Sequence, residues 1–215
     1  MLRPREAAEN SYDRLSRWYD LIAASEQAFV EEGVAMLDPA AGEAVLEVGF
    51  GTGRALVELA RRVGQSGRVC GIDLSTEMVE RSRRRVEDAG LGDRVALNVG
   101  DAVHLPYADG AFAAVFMSFT LELFAAEDIA AVLGECLRVL HAGGRIAVVS
   151  LSKEGGPYPV RRLYEVTRRL APGLLDCRPI YTARFLEENG FDPMAVRIRR
   201  MWGMPVELVL AGRSG

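Results

Sequence analysis

The sequence predicts a doubly wound α/β fold: a mostly parallel seven-stranded sheet with helices on both faces. Three observations carry this expectation. Short apolar runs alternate with helical patterns between residues 44 and 151. The first run ends in a glycine-rich turn, VLEVGFGTGR at 45–54. The next two runs each end beside an aspartate, Asp73 and Asp101. Strands separated by helices need crossover connections, so they pair in parallel and are covered on both faces.

The elements follow in order. Tyr12, Leu15, Tyr19 and Ile22 recur at helical spacing, which predicts a helix or helix pair over 11–37, closed by Asp38-Pro39. AVLEVG at 44–49 is the first strand and 54–63 the first crossover helix. RVCGID (68–73), a helix over 76–89, RVALNVG (94–100), FAAVFMS (112–118), a helix over 127–140 and RIAVVSL (145–151) continue the alternation. Residues 153–190 break it with GGPYP, a helix near 159–171, APG and a helix near 182–189. Strands over 192–200 and 205–212 complete the seven. The chain therefore divides into an N-terminal helical segment (11–37), a core (44–152), an insertion (153–190) and the final strands (191–215), all in one domain spanning 1–215.

Composition excludes several function classes. The net charge of -4 gives no global basic field, so nucleic acid is not an expected partner. Cys70, Cys136 and Cys177 are odd in number and lack paired spacing, and His104 and His141 are the only histidines. That argues against a disulfide framework and against a metal site, and fits a cytoplasmic protein. The charged start MLRPREAAENSYDR carries no signal-like apolar region. A monomer or homodimer is expected.

The glycine loop decides the ligand. A dinucleotide fingerprint reads G-x-G-x-x-G, but here Gly49, Gly51 and Gly53 alternate, and Arg54 stands where the third glycine belongs. No phosphate-cradling G-x-x-x-x-G-K-[ST] pattern occurs either. Glu47, two residues before the loop, favours a cationic ligand over an anionic one. Asp73, at the end of the next strand, can accept from both hydroxyls of a ribose, although an N-cap role is the plain alternative. Gly100-Asp101-Ala102 can offer a carboxylate to an exocyclic amine and a backbone N–H to a ring nitrogen, which is an adenine edge. Ribose, adenine and a positive group without phosphates add up to S-adenosylmethionine, with S-adenosylhomocysteine as its product.

These blocks, LEVGFGTG, GIDLS, GDAVHLPYADGAFAAVFMS and LRVLHAGGRIAVVSL, resemble the class I methyltransferases in their quinone-methylating and small-molecule branch, over roughly residues 10–152. The resemblance implies a Rossmann-like methyltransferase fold in which Glu47, Gly49, Phe50, Gly51, Thr52 and Gly53 surround the methionine part of the cofactor. It implies that Asp73 holds the ribose, Leu74 and Met78 cover the adenine, and Gly100, Asp101 and Ala102 bind its edge. Met117 and Ser118 would lie under the sulfonium. The 11–37 segment would be a lid bringing Tyr12 and Tyr19 over the methionine, and 153–190 an acceptor cap. The quinone branch's usual signature after the N-terminal tyrosine is absent here.

A sulfonium-borne methyl needs alignment more than covalent help, which agrees with the lack of a triad or metal set. His104, Glu122 and Tyr181 are the candidate bases, whereas His141 lies at the far end of the sheet. Tyr158, Tyr164, Tyr181 and Phe185 give the insertion an aromatic character suited to an apolar or planar acceptor, a quinone or lipid precursor. Phospholipid amine methylation is the alternative, and a non-catalytic binder of the cofactor a third. Arg161, Arg162, Arg168 and Arg169 share one face of the 159–171 helix, a stripe that would suit peripheral contact with an anionic membrane surface or plain solvation.

Overall fold

The computed structural model describes residues 26–154 and 178–214. Helix α1 runs over 26–37. Strands β1 (Ala44–Val48), β2 (Arg68–Asp73), β3 (Val95–Val99), β4 (Phe112–Ser118) and β5 (Leu140–Leu151) alternate with helices α2 (Arg54–Val63), α3 (Thr76–Asp88) and α4 (Ile129–Val139). Helix α5 (Thr182–Glu188) and strands β6 (Phe191–Met201) and β7 (Met204–Arg213) follow. The strands form one sheet in the order β3-β2-β1-β4-β5-β7-β6. β1 to β5 pair in parallel, and β7 and β6 are antiparallel additions.

Strand parity explains the layers. Val45, Ala114, Phe116, Ala147 and Val149 point to the face covered by α1, α2 and α3. Leu46, Val48, Val115, Met117, Ile146 and Val148 point to the face covered by α4 and α5. The central strands β1 and β4 are buried nearly throughout because both of their sides are covered. The β6–β7 hairpin closes through Trp202 and Gly203, both at positive φ (54° and 80°), the two-residue geometry that matches strand twist. β7 thereby returns beside β5 and leaves β6 at the edge.

One boundary differs from the sequence expectation. The fifth strand was expected to begin at Arg145 after a helix ending at 140, yet Leu140 already pairs with Phe112 before the register jumps to Ala114↔Arg145. The four residues between are an irregularity within β5, accommodated by Gly143 at φ 78°. Tyr12, Tyr19, the helix near 159–171 with its four arginines, Tyr158 and Tyr164 lie outside the described residues. Among the described residues, no helix is long and apolar enough to cross a membrane.

Arg145 on β5 fixes how α1 meets the sheet. Its Nε donates to Leu37 O at 2.7 Å and its Nη2 to Asp38 O at 2.8 Å, both at the C-terminal end of α1. The same guanidinium forks onto Glu43 at 3.0 and 2.8 Å. The hydrogen bond from Arg145 holds the Glu43 carboxyl below its ordinary range. Removing the guanidinium strands two helix-end carbonyls and a carboxylate, so Arg145→Ala should cost roughly 2–4 kcal/mol in urea unfolding. Arg145→Lys should recover less than half, because an ammonium lacks the planar fork. A depressed folded-state value stabilises above the ordinary carboxyl pKa and is lost as pH falls through the folded value. The gap between wild type and Arg145→Ala should therefore narrow once the pH drops below 4.5.

Candidate functional site

The strand order reverses at β1, whose neighbours are β2 on one side and β4 on the other. Ligands in open α/β sheets bind outside the carboxyl ends of the strands at such a point, because the adjoining crossovers leave in opposite directions. The glycine loop, Asp73, Asp101 and Ser118 all stand at these strand ends.

The loop between β1 and α2 is held from three sides. Gly49, Gly51 and Gly53 have φ of 69°, 49° and 76°, a region that side-chain-bearing residues rarely adopt. At Gly49 space is also lacking, since a Cβ would come within 2.2 Å of Thr120 Cγ2. Thr120 Oγ1 lies 3.1 Å from Gly49 O and 3.0 Å from Ser118 O, tying the loop to the end of β4. Ser82 Oγ on α3 donates to Gly51 O at 2.8 Å. Gly51 N–H donates to Asp73 Oδ2 at 2.9 Å. Phe50 is buried over Gly71, where a Cβ would meet its ring at 2.6 Å. A Cβ at Gly51 itself would meet nothing within 4 Å, so the crest of the loop is open. Thr52 lies on that exposed crest.

Asp73 is not the helix cap. Ser75 caps α3, its Oγ accepting from Met78 N at 3.3 Å, while Asp73 Oδ1 accepts from Ser75 N at 2.9 Å. Each carboxylate oxygen thus has one backbone donor and a further lone pair available to a hydroxyl. Beyond it Leu74 is 74% exposed and Met78 half-buried, a ledge of apolar surface at the strand end. Gly100 N donates to Asp73 O at 3.0 Å, and a Cβ there would press on Ile72 at 2.9 Å. Asp101 is exposed, with Oδ1 accepting from Val103 N at 3.1 Å, and Ala102 is buried. The loop carrying Asp101 is clasped by Arg138 of α4. That guanidinium donates to Tyr107 O, Leu105 O and Asp109 at 2.7, 3.0 and 2.8 Å while forking onto Glu135.

Three buried side-chain oxygens have no partner among the described residues: Glu47 Oε2, Ser118 Oγ and Glu122 Oε2. All three sit at the ends of β1 and β4 or in the Leu121–Leu123 turn that follows. Unpaired buried polar atoms are rare in folded proteins, and their convergence at the switch point marks it as a place built for something else. Glu47 is 2% exposed, and burial, followed by the nearby Asp73 charge, pushes its carboxyl well above the ordinary range. A cation arriving there would relieve both. Glu122 is 1% exposed, with Oε1 accepting from Leu151 N at 3.0 Å, and burial raises it to about 7. Glu26 on α1 is also raised, by burial against the opposing pull of Arg54.

Other expected site residues fall elsewhere. Met117 is fully buried in the layer beneath α4, so its side chain packs there, away from the glycine-loop face. His104 is exposed and lies on the Glu135 side of its loop. Tyr181 is 40% exposed, with Lys153 Nζ 5.5 Å from its ring centre. Thr120, Ser82 and Glu26 were not foreseen, because hydroxyls that lock a loop across 71 or 31 residues leave no mark in local pattern. Among the described residues, no group of three or more His, Cys, Asp or Glu is placed to hold a metal ion.

Comparison with known proteins agrees with this geometry. The methyltransferase-domain family profile matches residues 45–144, from β1 into β5. The chain is 32% identical over 142 residues to the demethylmenaquinone methyltransferase of Porphyromonas gingivalis, covering 66% of this chain and 56% of that one. It is 36% identical over 126 residues to the ubiquinone/menaquinone biosynthesis C-methyltransferase UbiE of Hahella chejuensis, covering 59% and 49%. The chain thus spans about half the length of these relatives. Among solved structures, an S-adenosylmethionine-dependent methyltransferase from Aquifex aeolicus superposes with a TM-score of 0.65 at 23% identity, covering 86% of this chain and 89% of the other. The [4+2]-cyclase SpnF superposes at 0.69 with 19% identity, covering 87% and 80%, so the fold itself is wider than one reaction. With the domain match lying across the glycine loop and the strand-end acids, residues 45–144 carry a methyltransferase domain, and the chain is similar to S-adenosylmethionine-dependent methyltransferases, among them quinone-methylating ones.

Proposed function

We propose that this protein transfers the methyl group of S-adenosylmethionine to a small, apolar, ring-bearing acceptor of the quinol type. The observation that carries the reading is the buried, unpartnered carboxyl oxygen of Glu47 beside a glycine loop with an open crest. An anion there repels a phosphate and attracts the ammonium and sulfonium of the cofactor. The relatives named demethylmenaquinone methyltransferase support the acceptor class.

When bound, the cofactor supplies a methyl group already activated by a positive sulfur. The chain's own task is placement. The loop's backbone, immobilised by Thr120, Ser82 and Asp73, would line the methionine part. Asp73 would accept from the ribose with its remaining lone pairs, the exposed Leu74 would lose its water against the adenine, and Asp101 would take the exocyclic amine. Ser118, at the last position of β4, would face the reacting centre. Holding donor and acceptor in line while excluding water accounts for much of such a rate.

Incubation with donor carrying a labelled methyl and a demethylated naphthohydroquinone should move label into the quinol fraction. Cofactor binding without label transfer to any quinol would remove the reading and favour a non-catalytic or rearranging role like that open to the fold. Asp73→Ala should weaken S-adenosylmethionine binding about 30-fold or more by calorimetry, since two charge-assisted contacts are lost. NAD should bind neither protein comparably.

The raised Glu47 carboxyl gives a second, independent outcome. In the ligand-free protein it stays protonated above its usual pKa, so stability should decline as pH rises from 4.5 toward the raised folded value. A cation lowers that value, so cofactor binding should release a proton. Calorimetry in buffers of different ionisation enthalpy measures this, and Glu47→Gln should abolish the buffer dependence.

A further inference from the structure

We propose that Glu122 takes up the proton displaced from the acceptor during methyl transfer. The inference rests on the methyl-transfer reading and assigns the base within it.

Of the three candidate bases, only Glu122 is buried and has an unpartnered oxygen. His104 and Tyr181 are exposed, and Tyr181 sits beside Lys153. Glu122 occupies the short turn Leu121–Leu123, which begins at Thr120, the residue whose hydroxyl bonds Gly49 O. The carboxyl is thus attached within two residues to the anchor of the glycine loop. Its Oε1 is pinned by Leu151 N–H at the end of β5, which fixes the side chain and leaves Oε2 bare. A role limited to accepting that N–H would be met equally by an amide, without the cost of a buried acid.

The charges around it are arranged to keep the group proton-competent. From α1, Glu26 adds a like charge, itself opposed by Arg54, and the β5 contact is the Leu151 amide. Among the described residues, the charged group acting on Glu122 is Glu26. Burial is the largest influence, opposed by hydrogen bonds from Leu151 N–H and from the residue's own backbone and supplemented least by Glu26, and the carboxyl is raised to about 7, a useful position for a base at neutral pH. In the transfer, the methyl–sulfur bond breaks with its electron pair going to sulfur. The acceptor atom forms the new bond to carbon, and the hydrogen it carried leaves as a proton to Glu122 Oε2. The carboxyl then returns that proton to water.

The test has two arms. Infrared difference spectra of the ligand-free protein, taken across pH 5–8, should contain a protonated-carboxyl band that titrates near pH 7, is absent in Glu122→Gln, and shifts to lower pH in Glu26→Gln. With labelled donor and a demethylated naphthohydroquinone, kcat should rise with pH through the same point. Glu122→Gln should lower kcat about 100-fold or more and lose that limb, with KM for the donor changed less than about threefold. The Gln variant keeps an acceptor for Leu151 N–H, so matching thermal unfolding separates the chemistry from a folding defect. A titrating band with no transfer by the wild type would sink the acceptor reading and leave the proton site standing. Absence of the band, or a Gln variant with undiminished kcat and the same pH profile, would overturn the inference.

Discussion

A single backbone amide organises the site: Gly51 N–H, donated to Asp73 Oδ2 at 2.9 Å. It joins the crest of the loop after β1 to the end of β2, two points 22 residues apart in the chain. Because the same carboxylate also accepts from Ser75 N, Asp73 sets the loop crest and the start of α3 together. From the other side Thr120 holds Gly49 O, so the loop is fixed between the ends of β2 and β4. The absence of a Cβ at Gly49 is a packing requirement as much as a dihedral one, since Thr120 occupies that space.

The second constraint is electrostatic. Glu47 feels the charge of Asp73 and Glu122 that of Glu26, and three of these four carboxyls are raised by burial. Buried acids oppose folding, and such an arrangement persists where a ligand or a reaction uses it. Elsewhere the protein pairs its charges, as Arg145 does with Glu43 and Arg138 with Glu135 and Asp109. Both guanidiniums also collect backbone carbonyls, so they act as clasps that keep α1 and the Asp101 loop in place. The peripheral acids are thus clasped, whereas Glu47 and Glu122 each keep one oxygen without a partner among the described residues.

Much of this was legible beforehand. The apolar runs gave strand positions within a residue or two at β1, β2, β4 and β7, where burial makes the run mostly apolar, and at the exposed edge strand β6 as well. The β5 boundary was misplaced because its extra pairing at Leu140 depends on Phe112 across the sheet, which local pattern does not encode. The loop glycines and Asp73 were legible because backbone conformation and strand-end position restrict residue type. Met117 was expected at the site from the family resemblance, but strand parity turns its side chain into the layer beneath α4.

By itself, then, the amino-acid order determined the alternation of strands and helices, the loop's conformational needs and the sign of charge beside it. These follow from local sterics, periodicity and residue chemistry. Only the tertiary structure decided which of three candidate bases is buried with a bare oxygen, that Thr120 and Ser82 lock the loop, and that Glu26 stands near Glu122. Those relations join residues from different elements, and burial and the proton affinity it sets exist only after the layers have closed around them.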